Sequence, residues 1–82
     1  MAAKKDKNKI ISPFHSKVVE VLIHQGDIVE ENQPLIRLES MKVISTFTAP
    51  YQSRIADVFT SEGQSVETGS ILIYLEPITA IQ

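Results

Sequence analysis

The chain consists of short apolar runs separated by clusters of turn-forming residues. Five runs are rich in β-branched and aromatic residues and have the length of β-strands, which predicts an all-β fold. Some of them, such as Val21-Leu22-Ile23, are apolar on both faces, which favours a thin sandwich over a single open sheet. No stretch has sustained helical periodicity. The predicted strands are residues 17–24, 34–39, 43–49, 54–60 and 71–76.

The same pattern occurs twice along the chain, at a constant offset of 37 residues and without a gap. Two copies are too few for a solenoid. Two β units of this size instead predict a small flattened barrel, in which the copies pair about a pseudo-two-fold axis and shield each other's strand edges. The pairs of identical residues include Pro13 and Pro50, Ser16 and Ser53, Val21 and Val58, Gly26 and Gly63, Val29 and Val66, Leu35 and Leu72, Ile36 and Ile73, Leu38 and Leu75, and Glu39 and Glu76.

The duplicated turns carry residues that tolerate a left-handed backbone. Gly26 and Gly63 occupy equivalent positions, where glycine permits a positive φ between two short strands. Asn32 is equivalent to Gly69, and both residue types enter the left-handed region at low cost. The sequence therefore predicts one backbone geometry for each turn, shared by the two copies.

Lys42 lies at the joint between the copies, in the segment Glu39-Ser40-Met41-Lys42-Val43, and no lysine follows it. The symmetry predicts that this joint is a tight turn at one end of the domain, with both termini near the opposite end. Lys42 is then either a displayed attachment point or an ordinary solvated lysine. Met41 either is exposed for recognition by another protein, which suits its flexible apolar side chain, or folds back as a cap on the core.

The residues around Lys42 resemble the biotin attachment motif, in which a Met-Lys pair preceded by a small residue follows a glutamate. The turns at residues 25–29 and 62–66 resemble the two Gly-Asp-x-Val turns of the same family, and Ala49-Pro50 resembles its Ala-Pro pair. The similarity extends from Ile10 to Glu76. The chain thus resembles the biotinyl/lipoyl attachment domains, and among them the biotin carboxyl carrier domains most.

This resemblance implies a flattened barrel of two four-stranded antiparallel sheets and a carrier function without catalysis by the domain itself. Biotin protein ligase would attach biotin to the amine of Lys42, recognising the motif residues Glu39, Ser40, Met41 and Val43. The attached biotin would act as a swinging arm, carrying a carboxyl group from a biotin carboxylase to a carboxyltransferase.

The sequence departs from the family pattern at several positions. Serine stands at Ser16 and Ser53, where the family usually has glycine, which predicts a local bend that tolerates a small side chain in both copies. Gln64 replaces the usual aspartate of the second turn. Val43 replaces a methionine or another bulky apolar residue and is the departure nearest to the lysine.

Three other functions remain open from the sequence. A lipoyl carrier would have the same fold with lipoate on Lys42, although lipoyl domains usually have Asp-Lys where this chain has Met41-Lys42. An unmodified lipoyl-like adaptor usually has a long helical hairpin between its halves, which this chain lacks. A free-standing enzyme would need a nucleophile and a base, and the sequence offers no such constellation.

The composition is that of one small domain. The 82 residues include no cysteine, which excludes disulfides and thiol chemistry. His15 and His24 lie apart without the carboxylates of a metal site, so no metal is expected. No apolar run approaches the roughly 20 residues that span a bilayer, and no secretory signal is evident, so a cytoplasmic location is expected.

Charge divides the chain into a basic tail and an acidic body. Residues 1–9 contain four lysines and almost no apolar side chain, which predicts a flexible tail. The attachment domain is predicted over residues 10–77, and residues 78–82 form a second tail. The acidic body argues against binding of nucleic acid, which requires a basic face.

Overall fold

The computed structural model describes residues 8–78, which form two four-stranded antiparallel sheets. One sheet has the strand order β1-β8-β6-β3 and the other β5-β4-β2-β7, so each sheet takes strands from both halves of the chain. The predicted flattened barrel of two four-stranded sheets is confirmed. None of the described residues forms a helix that could span a membrane. The strands are β1 (Lys9–Ile11), β2 (Ser16–Val21), β3 (Ile28–Val29), β4 (Pro34–Ser40), β5 (Val43–Thr48), β6 (Ser53–Val58), β7 (Ser65–Val66) and β8 (Ile71–Pro77).

The two halves repeat each other in hydrogen bonding as well as in sequence. Strands β2, β3 and β4 recur as β6, β7 and β8 with the offset of 37 residues at both ends of each strand. The β2–β4 and β6–β8 ladders have matching registers, each interrupted by a bulge at the same position. The Gly26 amide donates to the Ile55 carbonyl and the Gly63 amide to the Val18 carbonyl, both at 2.8 Å. Each half thus completes the other's ladder, which is the pseudo-two-fold pairing predicted from the repeat.

The core lies between the sheets and is filled by matching side chains from both copies. Leu35 and Leu72 are completely buried, as are Ile36 and Ile73. The burial of such aliphatic side chains is the main source of stability in a domain of this size. The buried apolar residues are Ile10, Val18, Ile23, Val29, Leu35, Ile36, Leu38, Ala49, Ile55, Val66, Leu72, Ile73 and Leu75.

The predicted left-handed turns are present in both copies. Gly26 and Gly63 have φ angles of 94° and 88°. Asn32 and Gly69 have φ angles of 71° and 88°. The four residues thus adopt the backbone that their types predict, with asparagine and glycine serving the same turn in different copies.

Two buried serines explain the departure from glycine in the family pattern. Ser16 and Ser53 are buried at the start of β2 and β6. The hydroxyl of Ser53 donates to the Tyr51 carbonyl (3.0 Å), and that of Ser16 donates to the Phe14 carbonyl (3.3 Å). Each hydroxyl thus has a backbone acceptor two residues earlier. A serine can therefore be buried at this bend without leaving its hydroxyl unpaired.

Some strand boundaries differ from the sequence-based prediction. The sequence did not predict β1, β3 and β7, which have two or three residues each. Strand β2 ends at Val21 rather than His24, since the chain turns where the His24 amide donates to the Asp27 carboxylate (2.8 Å).

The N-terminal boundary also differs from the predicted one. Lys9, which the sequence analysis assigned to the flexible tail, is the first residue of β1 and pairs with Tyr74 on β8. Asn8 before it accepts a hydrogen bond from the Tyr51 hydroxyl (2.6 Å), whose pKa is raised by burial. Ile78, the first residue of the predicted C-terminal tail, is described, and its amide donates to the Gln52 carbonyl (3.5 Å). Residues 1–7 and 79–82 of the predicted tails lie outside the described residues, so their flexibility stays a prediction.

Candidate functional site

Met41 and Lys42 form a two-residue turn between β4 and β5. The flanking residues Ser40 and Val43 pair with each other as the last rung of the ladder. Both turn residues have a positive φ, 51° for Met41 and 67° for Lys42. A positive φ at both central residues is the mark of the type I′ turn, which matches the twist of the flanking strands and usually contains asparagine and glycine. Two ordinary side chains are thus held in a backbone conformation that they rarely adopt.

The hairpin carries exposed apolar side chains on both sides of the lysine. Met41 is 92% exposed, so the interpretation of this residue as a core cap is wrong. Val43 and Ile44, the first two residues of β5, are 62% and 55% exposed. Lys42 itself is exposed. Clustered apolar side chains at a protein surface are typical of a contact with another protein.

A small groove lies beside the hairpin. Its volume is about 260 Å³, and Ser40 and Met41 form the side nearest to the turn. Glu39 also contributes to it, directly opposite Lys17 on the neighbouring strand β2. The remaining lining residues are His15, Ser16 and Ser65.

The hairpin brings the five predicted motif residues together, whereas the other groove residues were missed by the sequence analysis. Glu39 to Val43 occupy the end of β4, the turn and the start of β5. His15 immediately precedes β2, Lys17 lies near the start of β2, and Ser65 belongs to β7 in the other half of the repeat. The sequence contained one indication that Lys17 and Glu39 belong together: they are equivalent to Arg54 and Glu76, which also carry opposite charges.

The described part of the chain contains no cluster of three or more histidine, cysteine or acidic side chains that could hold a metal ion. Within that part, His15 lines the groove, and the His24 imidazole lies 3.8 Å from the Asp27 carboxylate at a separate turn. The hairpin thus presents one accessible primary amine, that of Lys42, at the tip of the hydrogen-bonded β4–β5 pair.

The sequence matches the family described as biotin-requiring enzyme over residues 8–75. The chain therefore belongs to the family of biotinyl/lipoyl attachment domains, non-catalytic carriers to which a cofactor is covalently attached. Among curated proteins, no sequence matches the chain.

Three solved structures illustrate the range of proteins that contain this fold. A single-chain, multi-domain long-chain acyl-CoA carboxylase is 28% identical over 85% of this chain, with a TM-score of 0.80, and the match spans only 7% of the carboxylase. The lipoyl domain of the 2-oxoglutarate dehydrogenase complex from Azotobacter vinelandii is 24% identical, with a TM-score of 0.77 over 84% of this chain and 95% of that domain. An aspartoacylase family protein from Mesorhizobium loti is 17% identical, with a TM-score of 0.72 over 89% of this chain and 26% of its own. At these identities the last two show the fold alone.

The exposure of Met41 predicts that the fold does not need this side chain. Met41→Ala is expected to change the free energy of unfolding by less than about 1 kcal/mol, as at other surface positions. Urea denaturation of the two proteins would measure the difference. Leu38→Ala, which truncates a completely buried side chain on β4, is the positive control for a loss of stability. A Met41→Ala protein as unstable as this control would show that the methionine packs against the domain.

Proposed function

We propose that this chain is a biotin carboxyl carrier domain and that Lys42 is its attachment point. The observation that carries the proposal is the position of Lys42 at the tip of the β4–β5 hairpin, in a two-residue turn with both φ angles positive. Side chains at such a tip project away from both strands, so an enzyme can reach the amine without opening the fold.

Acylation of Lys42 would convert this amine into the start of a neutral arm. An amide carries no charge, so the arm can enter a buried active site without the cost of desolvating an ammonium group. The rigid hairpin keeps the arm tethered, and a short flexible tether raises the effective concentration of its end at a partner site to about millimolar. The domain thus contributes delivery, and the bond chemistry belongs to its partners.

The choice of biotin over lipoate rests on two observations. Met41 stands where lipoyl domains usually have aspartate. The acyl-CoA carboxylase is 28% identical to this chain, whereas the lipoyl domain is 24% identical. We therefore propose a biotin protein ligase as the modifying enzyme, and a biotin carboxylase and a carboxyltransferase as the partners between which the arm moves.

The exposed residues of the hairpin are the proposed recognition surface. Met41 and Val43 flank the lysine, and their exposed apolar side chains suit a groove on the ligase. Ser40 and Glu39 precede them on β4 and complete the motif. Because the two halves of the domain meet in this tight turn, an unmodified adaptor with a long helical hairpin is a poorer account of the chain.

Mass spectrometry of the intact protein tests the choice of cofactor. The chain would be co-expressed in parallel with a biotin protein ligase and with a lipoate protein ligase, each with its cofactor in the medium. We expect one biotin mass in the first preparation and none or little lipoyl mass in the second. Met41→Asp should shift the modification toward lipoate. Efficient lipoylation without biotinylation would contradict the proposal and support a lipoyl carrier instead. If neither ligase modified the chain, the unmodified adaptor would be the better account.

A further inference from the structure

Both copies of the repeat contain one equivalent pair of opposite charges, which is hydrogen-bonded in the second copy and not in the first. In the second copy, the Arg54 guanidinium donates two hydrogen bonds to the Glu76 carboxylate across β6 and β8, one of them at 3.0 Å from Nε. In the first copy, Lys17 and Glu39 stand directly opposite each other on β2 and β4. Within residues 8–78, neither side chain has an ion-pair or hydrogen-bond partner. The half that carries Lys42 therefore presents an ammonium and a carboxylate whose hydrogen-bonding capacity is unused.

These two charged groups line the groove beside the turn. Ser65 of β7 also lines the groove, at the position that the exposed apolar residue Ile28 occupies in the other copy. Its volume of about 260 Å³ is close to the lower end of pockets that hold small ligands. The groove at the hairpin end thus combines a mostly apolar lining with one ammonium, one carboxylate and serine hydroxyls.

We propose that this groove is a resting site for the ring end of the cofactor on Lys42. The inference rests on the proposed function and adds the position that the arm occupies while it is not bound to a partner enzyme. The ring of biotin is a cyclic urea, with N–H donors and one carbonyl acceptor. The Glu39 carboxylate accepts from a urea N–H, and the Lys17 ammonium donates to the urea carbonyl. Both hydrogen bonds are charge-assisted, which makes them stronger than neutral ones.

The length of the arm allows the ring to reach this site. About ten single bonds of about 1.5 Å each separate the lysine backbone from the ring. Met41, the neighbour of Lys42, forms the near wall of the groove, so the arm folds back over one residue. The dithiolane ring of lipoate has no N–H or carbonyl to pair with these charges, so the resting site belongs to biotin.

Backbone amide NMR of the biotinylated full chain tests the resting site. We expect attachment of biotin to shift the amide resonances of Lys17, Glu39 and Ser65 in addition to those of the turn. The equivalent residues Arg54, Glu76 and Ile28 on the other sheet serve as an internal reference and should not shift. Changes confined to the turn and its immediate neighbours would overturn the proposal.

The rate of capture by streptavidin supplies an independent measurement. A docked ring must leave the groove before capture, so Lys17→Gln and Glu39→Gln are each expected to raise the capture rate several-fold in the biotinylated protein. Arg54→Gln is the matched control and should leave the rate unchanged. Equal rates for all the variants would contradict docking. Failure of the proposed function is a separate outcome, since it would appear earlier as a missing biotin mass in the unmutated chain.

Discussion

Lys42→Arg is expected to abolish covalent attachment of the cofactor while leaving the domain folded. The ligase reaction requires a nucleophilic primary amine, and the arginine guanidinium keeps the charge but cannot act as that amine. Of the other lysines that the structure describes, Lys17 lies within β2 and Lys9 begins β1, so neither stands at a turn of this geometry. Intact mass after co-expression with the ligase should therefore fall from one added biotin to none.

The matched control is Lys42→Gly, which removes the amine and also relieves the backbone. Lys42 has a φ of 67°, a conformation that costs a residue other than glycine about 1 kcal/mol or more. We expect Lys42→Gly to be unmodified and to have a higher free energy of unfolding than Lys42→Arg. Biotin that remains on the chain in either variant, on Lys4 or Lys17 for example, would show that Lys42 is not the only site.

The fold could be predicted because the same sequence pattern occurs in both copies, so each buried strand and each turn is indicated twice. Leu35 and Leu72 mark equivalent buried strands, and Gly26 and Gly63 mark equivalent turns with a positive φ. The substitution of Asn32 for Gly69 was informative because the two residue types share little except tolerance of the left-handed region. The position of Lys42 at the joint followed from the same alignment.

Other features depend on contacts between segments that are distant in sequence. Strands β3 and β7 have two residues each, too few for a hydrophobic pattern, and they exist because β6 and β2 offer them backbone partners. The groove beside the hairpin depends on the register of β2 against β4, which a bulge after Val18 shifts. Composition does not reveal such a bulge, so the opposition of Lys17 and Glu39 was not predicted.

The hairpin itself was predicted as a tight turn, but its left-handed backbone was not. Neither Met41 nor Lys42 is a residue type that favours a positive φ. Strain of this kind is often found at functional sites, where a residue is retained for its chemistry against its conformational preference. If asparagine and glycine stood at these two positions, the turn would be relaxed, and there would be no amine to modify.

Gly26→Val and Gly63→Val are each expected to destabilise the domain by about 1–3 kcal/mol. The cause is the backbone, because a Cβ added at either glycine would meet no other atom within 4 Å, while the φ angles of 94° and 88° are unfavourable for a β-branched residue. The amides of both glycines also donate the hydrogen bonds that join the halves. A shift of φ toward ordinary values would weaken those bonds, so the strain cannot relax without a loss elsewhere.

Urea denaturation of the valine variants and two controls would separate conformational strain from other causes. Gly26→Asn should cost less than Gly26→Val, since asparagine tolerates a positive φ. Asn32→Gly should be nearly neutral, within about 0.5 kcal/mol, because it introduces the residue that the other copy already uses at Gly69. The symmetry further predicts similar losses for valine at Gly26 and at Gly63. A neutral valine at either position, or an asparagine as harmful as valine, would show that the positive φ is not what the fold requires of these glycines.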